Sequence, residues 1–495
     1  MKKGYILRDL KIEKIWFWGV GIASLASWKK VIVKGWALPW AVVDAKIVKN
    51  KKDYIEARLV AVKQVDPSRI DLDSLRCQHY FFQPGLDSSH QNFGCKIGCG
   101  GCKWQILGYQ NQLKLKQELF EDSFRFLWDK ISSKVLPIVP SPLQRHYRNK
   151  IEFSFGWCDA KRQDQPVAGF HRQGERSRLV DVDHCWIAAE RANEIYEHLK
   201  PLILGSWLPV YDPTTHQWVW RHLMVRYGFG TDQLMVVLSY AAKNLDRDGL
   251  ARLESFFQGL SKDEFVLSKV KSFWLFENNG LADVVRNQDV KGRLLVWEPY
   301  IFESLEVAWA KVKFRISPRS FFQTNTLGAQ TLFTTAAQML PPIKGKIVDM
   351  YSWVGTIGLS FLKAWVGSSL LGVELVEDAV EDAWFNAKIN GLENVEFLVG
   401  KAEEVIYSLV MEGKLDDMEL LIVDPPGDGL HKKVVKKLIE IKKRLDYKLL
   451  YISCNPVTLA RDTALLLESW FRLQKIRPVD MFPHTYHLES IAVFG

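Results

Sequence analysis

Along the first 66 residues, apolar positions alternate or run in pieces of strand length, as in VIVKG, AVVDAKIVKN and YIEARLVAVKQV, with Gly, Pro and Lys-rich turns between them. Roughly five short strands in so short a stretch predict a small, OB-like β-barrel. From 67 to about 310 the pattern is mixed, which predicts an α+β domain. A cysteine-rich loop leads into the helical stretch GYQNQLKLKQELFEDSFRFLWDKI, strand-like pieces follow, and helical periodicity returns in ERANEIYEHLK. After Pro341 the text is regular: KIVDMYS, TIGLSFLKAW, SSLLGVEL, EDAVEDAWFNAKI, NVEFLVG, LLIVDPP and KLLYISC read alternately as strands and helices, with a helix before LLIVDPP and another before KLLYISC. Alternation of this kind predicts a parallel-rich sheet covered by helices on both faces, an α/β Rossmann-like domain. The expected units are 1–66, 67–310 and 311–495.

The chain of 495 residues, 47% apolar and 25% charged, has room for several cores, and its net charge of +9 favours an anionic partner. The runs QRHYRNKIEFSFGW and GFHRQGERSRLV mix Arg, Lys and His with aromatics. RNA suits such runs, because guanidinium groups hold phosphates and rings stack on splayed bases; a solvated sheet face would look the same. WFWGVGIASLAS follows LRDLKIEK, where Asp9 and Glu13 are wrong for a signal peptide, and Lys29, Lys30 and Lys34 interrupt what comes next. A cytoplasmic protein without a membrane segment is expected. Its seven cysteines are an odd number, and Cys95, Cys99 and Cys102 fall within eight residues. That crowding points to metal or catalysis rather than disulfides.

Candidate chemistry gathers near the C-terminus. A strand ends at Asp349, the turn SWVGTIG follows, and Glu374 closes the next strand 19 residues after Gly355. A carboxylate at that offset holds ribose hydroxyls in nucleotide-binding sheets, and Asp424 in VDPP ends a further strand. With only Gly355 and Gly358 the turn is not a dinucleotide fingerprint, so the nucleotide stays open. YISCNPVTLARD places Cys454 at a strand end just before a helix, whose N-terminus is expected to favour thiolate. Glu489 lies in DMFPHTYHLES. A lone strand-end cysteine is ordinarily a core thiol. A thiolate with a carboxylate, however, is what methylation at carbon 5 of uracil requires: sulphur adds at carbon 6, the resulting enolate takes the methyl group, and a base removes the carbon-5 proton.

VDMYSWVGTIGL, FFQTN, VDPPGDGL, YISCNPVTLARD and FPHTYHLES resemble the RNA 5-methyluridine methyltransferase family. CGGCKWQ with DHCWI downstream resembles its iron–sulfur members, and VIVKGWALPWAVVDAKIVKNKKDYIEARL resembles their TRAM domain. The resemblance spans essentially the whole chain. It implies a class I methyltransferase domain that uses S-adenosylmethionine, Cys454 as nucleophile and Glu489 as base, with Gln323, Tyr351, Thr356, Glu374 and Asp424 at the cofactor. It also implies a [4Fe–4S] cluster, where CxxC alone would admit zinc or redox work. Cys99, Cys102 and Cys185 match ligands; the early ligand is Cys77 or Cys95, with Cys77 favoured, and Cys158 is structural. The implied partner is RNA, large-subunit rRNA ahead of tRNA, and the protein is expected to be a monomer.

The chain departs from the family at Ser352-Trp353, where Cys-Gly is usual, at Gly427-Asp428 after DPP, and at Lys401. None is expected to touch the thiol or the base. These departures leave a second reading, a catalytically weakened RNA-binding or assembly factor. A third, radical or thiolation chemistry at the cluster, lacks the βα repeats of a surrounding barrel.

Overall fold

The computed structural model describes residues 2–35, 37–71, 77–80, 98–158, 165–172, 178–212, 215, 219–280, 290–364 and 366–495. The N-terminal strands β1 (Ile6–Lys11), β2 (Lys14–Trp16), β3 (Val20–Ser24), β4 (Lys30–Lys34), β5 (Val42–Asn50) and β6 (Tyr54–Gln64) form one sheet in the order β1-β5-β6-β4-β3-β2. Its two edges, β1 and β2, are successive pieces of one stretch of chain, and β1 lies near β3. With β4 parallel to β6 and the other pairs antiparallel, this is the strand plan of an OB-like barrel. The alternation read in the sequence sets the faces: Val31 and Val33 of β4 are fully buried, while Lys30 and Lys34 face water.

Helix α1 (Tyr109–Ser123) and the short α2 (Trp128–Ile131) follow. Sequence periodicity gives α1 an apolar face without saying what covers it. The residues Phe120, Phe124, Leu127 and Ile131 pack with Val348, Leu421 and Leu459 of the C-terminal body, and Leu115 and Leu119 pack with the barrel. Lys116, fully buried, pairs with fully buried Asp480 at 2.6 Å. Removing either partner would strand a buried charge, at a cost of about 3–5 kcal/mol. Bridges Val135↔Ile476 and Val139↔Val479 then lay residues 135–139 along the edge of the C-terminal sheet. Residues 109–140 thus dock on the last domain although the sequence puts them in the middle one.

The central body is a seven-stranded sheet of β7 (Lys150–Trp157), β8 (Pro166–His171), β9 (Leu179–Asp181), β10 (Trp220–Gly228), β11 (Gln233–Tyr240), β12 (Val270–Glu277) and β13 (Lys291–Trp297), ordered β13-β12-β11-β10-β7-β8-β9. Helices α3 (Glu190–Leu204), α4 (Arg247–Leu260) and α5 (Glu264–Lys269) share a core with it, including Tyr196, Leu199, Phe257 and Val266.

A hairpin of β14 (Ile301–Val307) and β15 (Ala310–Ile316) opens the C-terminal body and packs on its helices, so the expected boundary at 310/311 falls inside a structural element. Next come α6 (Thr326–Met339), β16 (Lys346–Met350), α7 (Thr356–Lys363), β17 (Ser369–Glu374), α8 (Glu377–Ile389), β18 (Val395–Val399), α9 (Ala402–Met411) and β19 (Met418–Val423). The chain finishes with α10 (Lys432–Lys442), β20 (Lys448–Ser453), α11 (Pro456–Leu467), β21 (Leu473–Val479) and β22 (Glu489–Phe494). The order is β18-β17-β16-β19-β20-β22-β21, parallel from β18 to β20, with β22 antiparallel to both neighbours. Strand order reverses between β16 and β19, and a ligand crevice opens beyond the carboxyl ends of the strands at such a switch point. No described helix is long and apolar enough to cross a membrane.

Candidate active site

At the switch point β16 delivers Asp349, whose Oδ2 accepts from the Gly358 amide of α7 at 3.0 Å, while its buried Oδ1 has no hydrogen-bond partner in the protein. Burial pushes this carboxyl up to about 8; the Gly358 amide opposes the shift, and Asp424 and Glu374 add to it. The turn before α7 carries left-handed backbone at Tyr351, Trp353 and Gly355. A side chain at Gly358 would come within 2.6 Å of Leu370, which is why the helix can approach β17 only with glycine there. Glu374, at the end of β17, accepts from the amides of Leu375 (2.8 Å) and Val376 (3.0 Å) with Oε1 and of Trp353 (3.1 Å) with Oε2. The carboxylate therefore fixes the turn from the neighbouring strand.

Thr356 starts α7 and is buried; the Ser352 hydroxyl beside it is buried without a partner. The Trp353 ring lies on Phe321 with centroids 4.5 Å apart, which brings the 321–323 segment to the turn. Gln323 is held there through its carbonyl, which accepts from Asn149 Nδ2 at 2.8 Å. Tyr351 and Thr356 therefore lie on one turn, Glu374 binds that turn from β17, and the segment leading to Gln323 reaches it through Phe321. Asp349 Oδ1 and Ser352 Oγ add two buried polar atoms without partners beside it. Both follow from the strand-then-turn reading, which did not single them out as ligand contacts.

Strand register sets where Cys454 and Glu489 lie. Ser453 of β20 pairs with Ser490 of β22, so one step further Cys454 stands opposite Glu489. Opposed residues of an antiparallel ladder have Cβ atoms about 4.5–5.5 Å apart. Asp424, at the end of β19, closes the group from the other side of β20. Burial pushes the Cys454 thiol up to about 12, and the negative charges of Glu489 and Asp424 add to the shift. Buried Glu489 is held well above the usual carboxylate range by burial first and by Asp424 second; burial puts Asp424 at about 7.

The expected thiolate-favouring helix end is not realised. Asn455 caps α11 itself, its Oδ1 accepting from Val457 N (3.0 Å) and Thr458 N (3.4 Å), while its Nδ2 donates to Gly427 O (2.8 Å). With those amides taken and two acids nearby, burial and charge favour the thiol over the thiolate. A second expectation also changes. Gly427 does border the thiol, since a Cβ there would sit 3.7 Å from Cys454 Sγ. Lys401 lies away from this pair, at the start of α9, where it is exposed and pairs with Glu404.

A second group of thiols lies in the central body. Cys77, Cys99, Cys102 and Cys185 line one small cavity with His79, Tyr80 and Phe170. Burial pushes Cys77 and Cys99 up to about 12 and raises Cys102 and Cys185; the sulphurs also raise one another. His79 ties the loop to the distant segment: its carbonyl accepts from Gly98 N (3.1 Å) and Cys99 N (3.0 Å), and its Nε2 from Asp183 N (3.2 Å). Asn193 clamps Cys185 by its amide (3.0 Å) and carbonyl (3.1 Å).

No three of these sulphurs lie within 4.8 Å of one another; among the described residues only His146, His184 and Glu190 form such a trio. One zinc at ~2.3 Å from each sulphur would draw four thiolates to about 3.8 Å separations. The pocket is wider than that. Cys95 lies outside the described residues, and Cys158 is buried against Val167 and Leu179 and is disulfide-bonded. A second cavity, which shares Cys99, Cys102 and Cys185, is lined also by Arg148 and Lys150 of the basic run and by Glu152.

Comparison with known proteins gives a consistent result. Residues 275–494 match the family model for tRNA (uracil-5-)-methyltransferases. An RNA methyltransferase of Halalkalibacterium halodurans is 31% identical over 489 residues, 98% of this chain and 96% of that protein. One from Clostridium tetani is 32% identical over 495 residues, 98% of this chain and 96% of its own length. Among solved structures, a Pyrococcus abyssi tRNA (uracil-54, C5)-methyltransferase in complex with S-adenosyl-L-homocysteine matches with a TM-score of 0.70 and 26% identity, covering 99% of this chain and 100% of that one.

Proposed function

This chain belongs to the RNA (uracil-5-)-methyltransferase family, and from that premise we propose that it methylates carbon 5 of a uridine in large-subunit rRNA through a covalent adduct on Cys454. The observation that carries the reading is the register of β20 and β22, which opposes Cys454 and Glu489 at the carboxyl ends of the parallel strands. S-adenosylmethionine supplies the electrophilic methyl group when bound. The residues present fit it: Asp349 Oδ1 and Ser352 Oγ are buried polar atoms without partners at the turn where the cofactor would lie.

As sulphur bonds to carbon 6 the Cys454 thiol passes its proton to the neighbouring Asp424 carboxylate, and the carbon 5–carbon 6 π electrons move onto the ring as an enolate. Carbon 5 then takes the methyl group. Glu489 removes the carbon-5 proton, the electrons of that bond re-form the double bond, and the carbon 6–sulphur bond breaks to return the thiolate. A carboxylate held well above its usual range is a stronger base for this last step once it is ionised, and the positive charge of bound cofactor favours its ionisation.

Four thiols that line one small cavity without a carboxylate, no three of them close enough together for one zinc, fit a [4Fe–4S] cluster held by Cys77, Cys99, Cys102 and Cys185. We assign it a structural role. It would tie residues 77–102 to the 183–187 segment beside Arg148 and Lys150, shaping a basic surface for RNA; the OB-like barrel, read as a TRAM domain, would add a second RNA contact. Methyl transfer needs no electrons from it.

The choice of rRNA rests on the resemblance of the barrel and cysteine loop; the Pyrococcus abyssi neighbour acts on tRNA, which makes tRNA the second reading. Mapping 5-methyluridine in both RNAs from a deletion strain decides between them. Loss of one rRNA methyl group with tRNA intact is expected, and loss from tRNA alone would reverse the assignment.

A further inference from the structure

Twelve described residues other than glycine have φ between 50° and 75°, and six of them are tryptophans: Trp18, Trp28, Trp40, Trp207, Trp297 and Trp353. Tryptophan supplies only 19 of the 495 residues, so its supply of half the strained positions is not a matter of abundance. A bulky side chain in left-handed backbone crowds its own carbonyl, and only glycine adopts that region freely.

The turns themselves specify glycine. Leu38, Pro39, Trp40 and Ala41 make a tight turn closed by Ala41 N donating to Leu38 O at 3.3 Å, with proline second and φ 65° at Trp40 third. That is a type II turn, whose third position takes glycine. Trp28 ends a turn closed by its own amide on Leu25 O (2.8 Å), and Leu25 N returns to Lys29 O (3.0 Å). This is a hairpin bulge with glycine's position at φ 62°. Trp18 and Gly19 are successive left-handed residues in the loop between β2 and β3.

At two of the six positions the rings plainly do not repay the strain. Trp28 is 88% exposed and Trp207 90%, although tryptophan is normally among the more buried side chains. Trp353 occupies the turn whose amide is fixed by Glu374.

We propose that these six positions are glycine in the protein as its own cells make it, and that position 353 is a determinant of cofactor binding for that reason. One cause accounts for all six at once. The codon UGA is decoded as tryptophan by some translation systems and can be decoded as glycine by a glycine tRNA with the matching anticodon. The glycine assignment leaves every turn unstrained and removes the indole from the cofactor rim.

The direct test is mass spectrometry of the tryptic peptide Ile347–Lys363 from protein purified from its native cells. A peptide lighter by the difference between tryptophan and glycine is expected; tryptophan at 353 overturns the proposal. The requirement for glycine is tested on recombinant protein carrying all six Trp→Gly changes. Its unfolding midpoint should rise by roughly 2–4 °C for each turn relieved. Trp220→Gly is the control and should lower it, because Trp220 is fully buried and its Nε1 donates to Ser206 Oγ at 2.9 Å. An unchanged or lower midpoint for the sixfold variant also overturns the proposal. W353G alone should bind S-adenosylmethionine at least tenfold more tightly. Only this last readout rests on the methyltransferase reading: higher stability with no cofactor binding in either form would fault that reading and leave the glycine assignment standing.

Discussion

Burial raises Cys454 at one site and Cys77 and Cys99 at the other alike to about 12. What differs is the company. Cys454 faces two acids, Glu489 and Asp424, so protons can be exchanged beside it; the central thiols face mainly one another. A lone thiol among carboxylates is built to lose and regain a proton in a cycle. Four thiols without an acid can ionise together only around a cation, which they then hold permanently. On the proposed reading, similar raising of the thiols thus accompanies transient chemistry in one pocket and a fixed ligand set in the other.

The comparison can be broken at either pocket. Cys454→Ala should have the largest effect, lowering methylation by ~10³-fold or more while RNA binding in a filter assay stays near wild type. Retained turnover would make the thiol a bystander. Glu489→Gln comes next: the methylated RNA should remain attached to the protein, visible as a shifted band on a denaturing gel, and normal turnover would move the base role to Asp424 or water. At the other pocket, anaerobically purified Cys77→Ser should lose most of its iron from about four per chain and lower the unfolding midpoint of the central body. Wild-type protein that is colourless and carries one zinc would remove the cluster.

The smallest effect separates the pockets by pH. Asp349 is raised from 3.8 to about 8 in the folded state, so it keeps its proton on folding where the unfolded chain has lost it. Its contribution to stability is fully present below about pH 4 and is lost as pH rises toward 8, with a slope of at most about 1.4 kcal/mol per pH unit. Asp349→Asn should flatten denaturation midpoints measured across that window, and an unchanged slope would assign the dependence to other groups.

The sequence carried the C-terminal domain well, because alternating strands and helices leave a period that can be read residue by residue, and Cys454, Glu489 and Glu374 stand at strand ends for the same reason. It did not carry the docking of residues 109–140. The pattern of α1 marks an apolar face, but Lys116 finds its partner Asp480 364 residues away. Nor could spacing choose the early thiol. Cys77 reaches Cys99, Cys102 and Cys185 only through the chain's fold, while Cys95 lies outside the described residues. Local sequence does not show what surrounds Cys454, since the helix end is capped by its own neighbour Asn455 and the opposing acids come from other strands.

The account stands on Cys454 forming a bond to uridine. Incubating the protein with S-adenosylmethionine and RNA carrying 5-fluorouridine at the target should trap that bond, because fluorine cannot leave carbon 5 as a proton does. A complex stable to denaturation, with the modified peptide mapping to Cys454 and absent in Cys454→Ala, is the predicted result. Active protein that methylates normal RNA yet forms no such complex would contradict it.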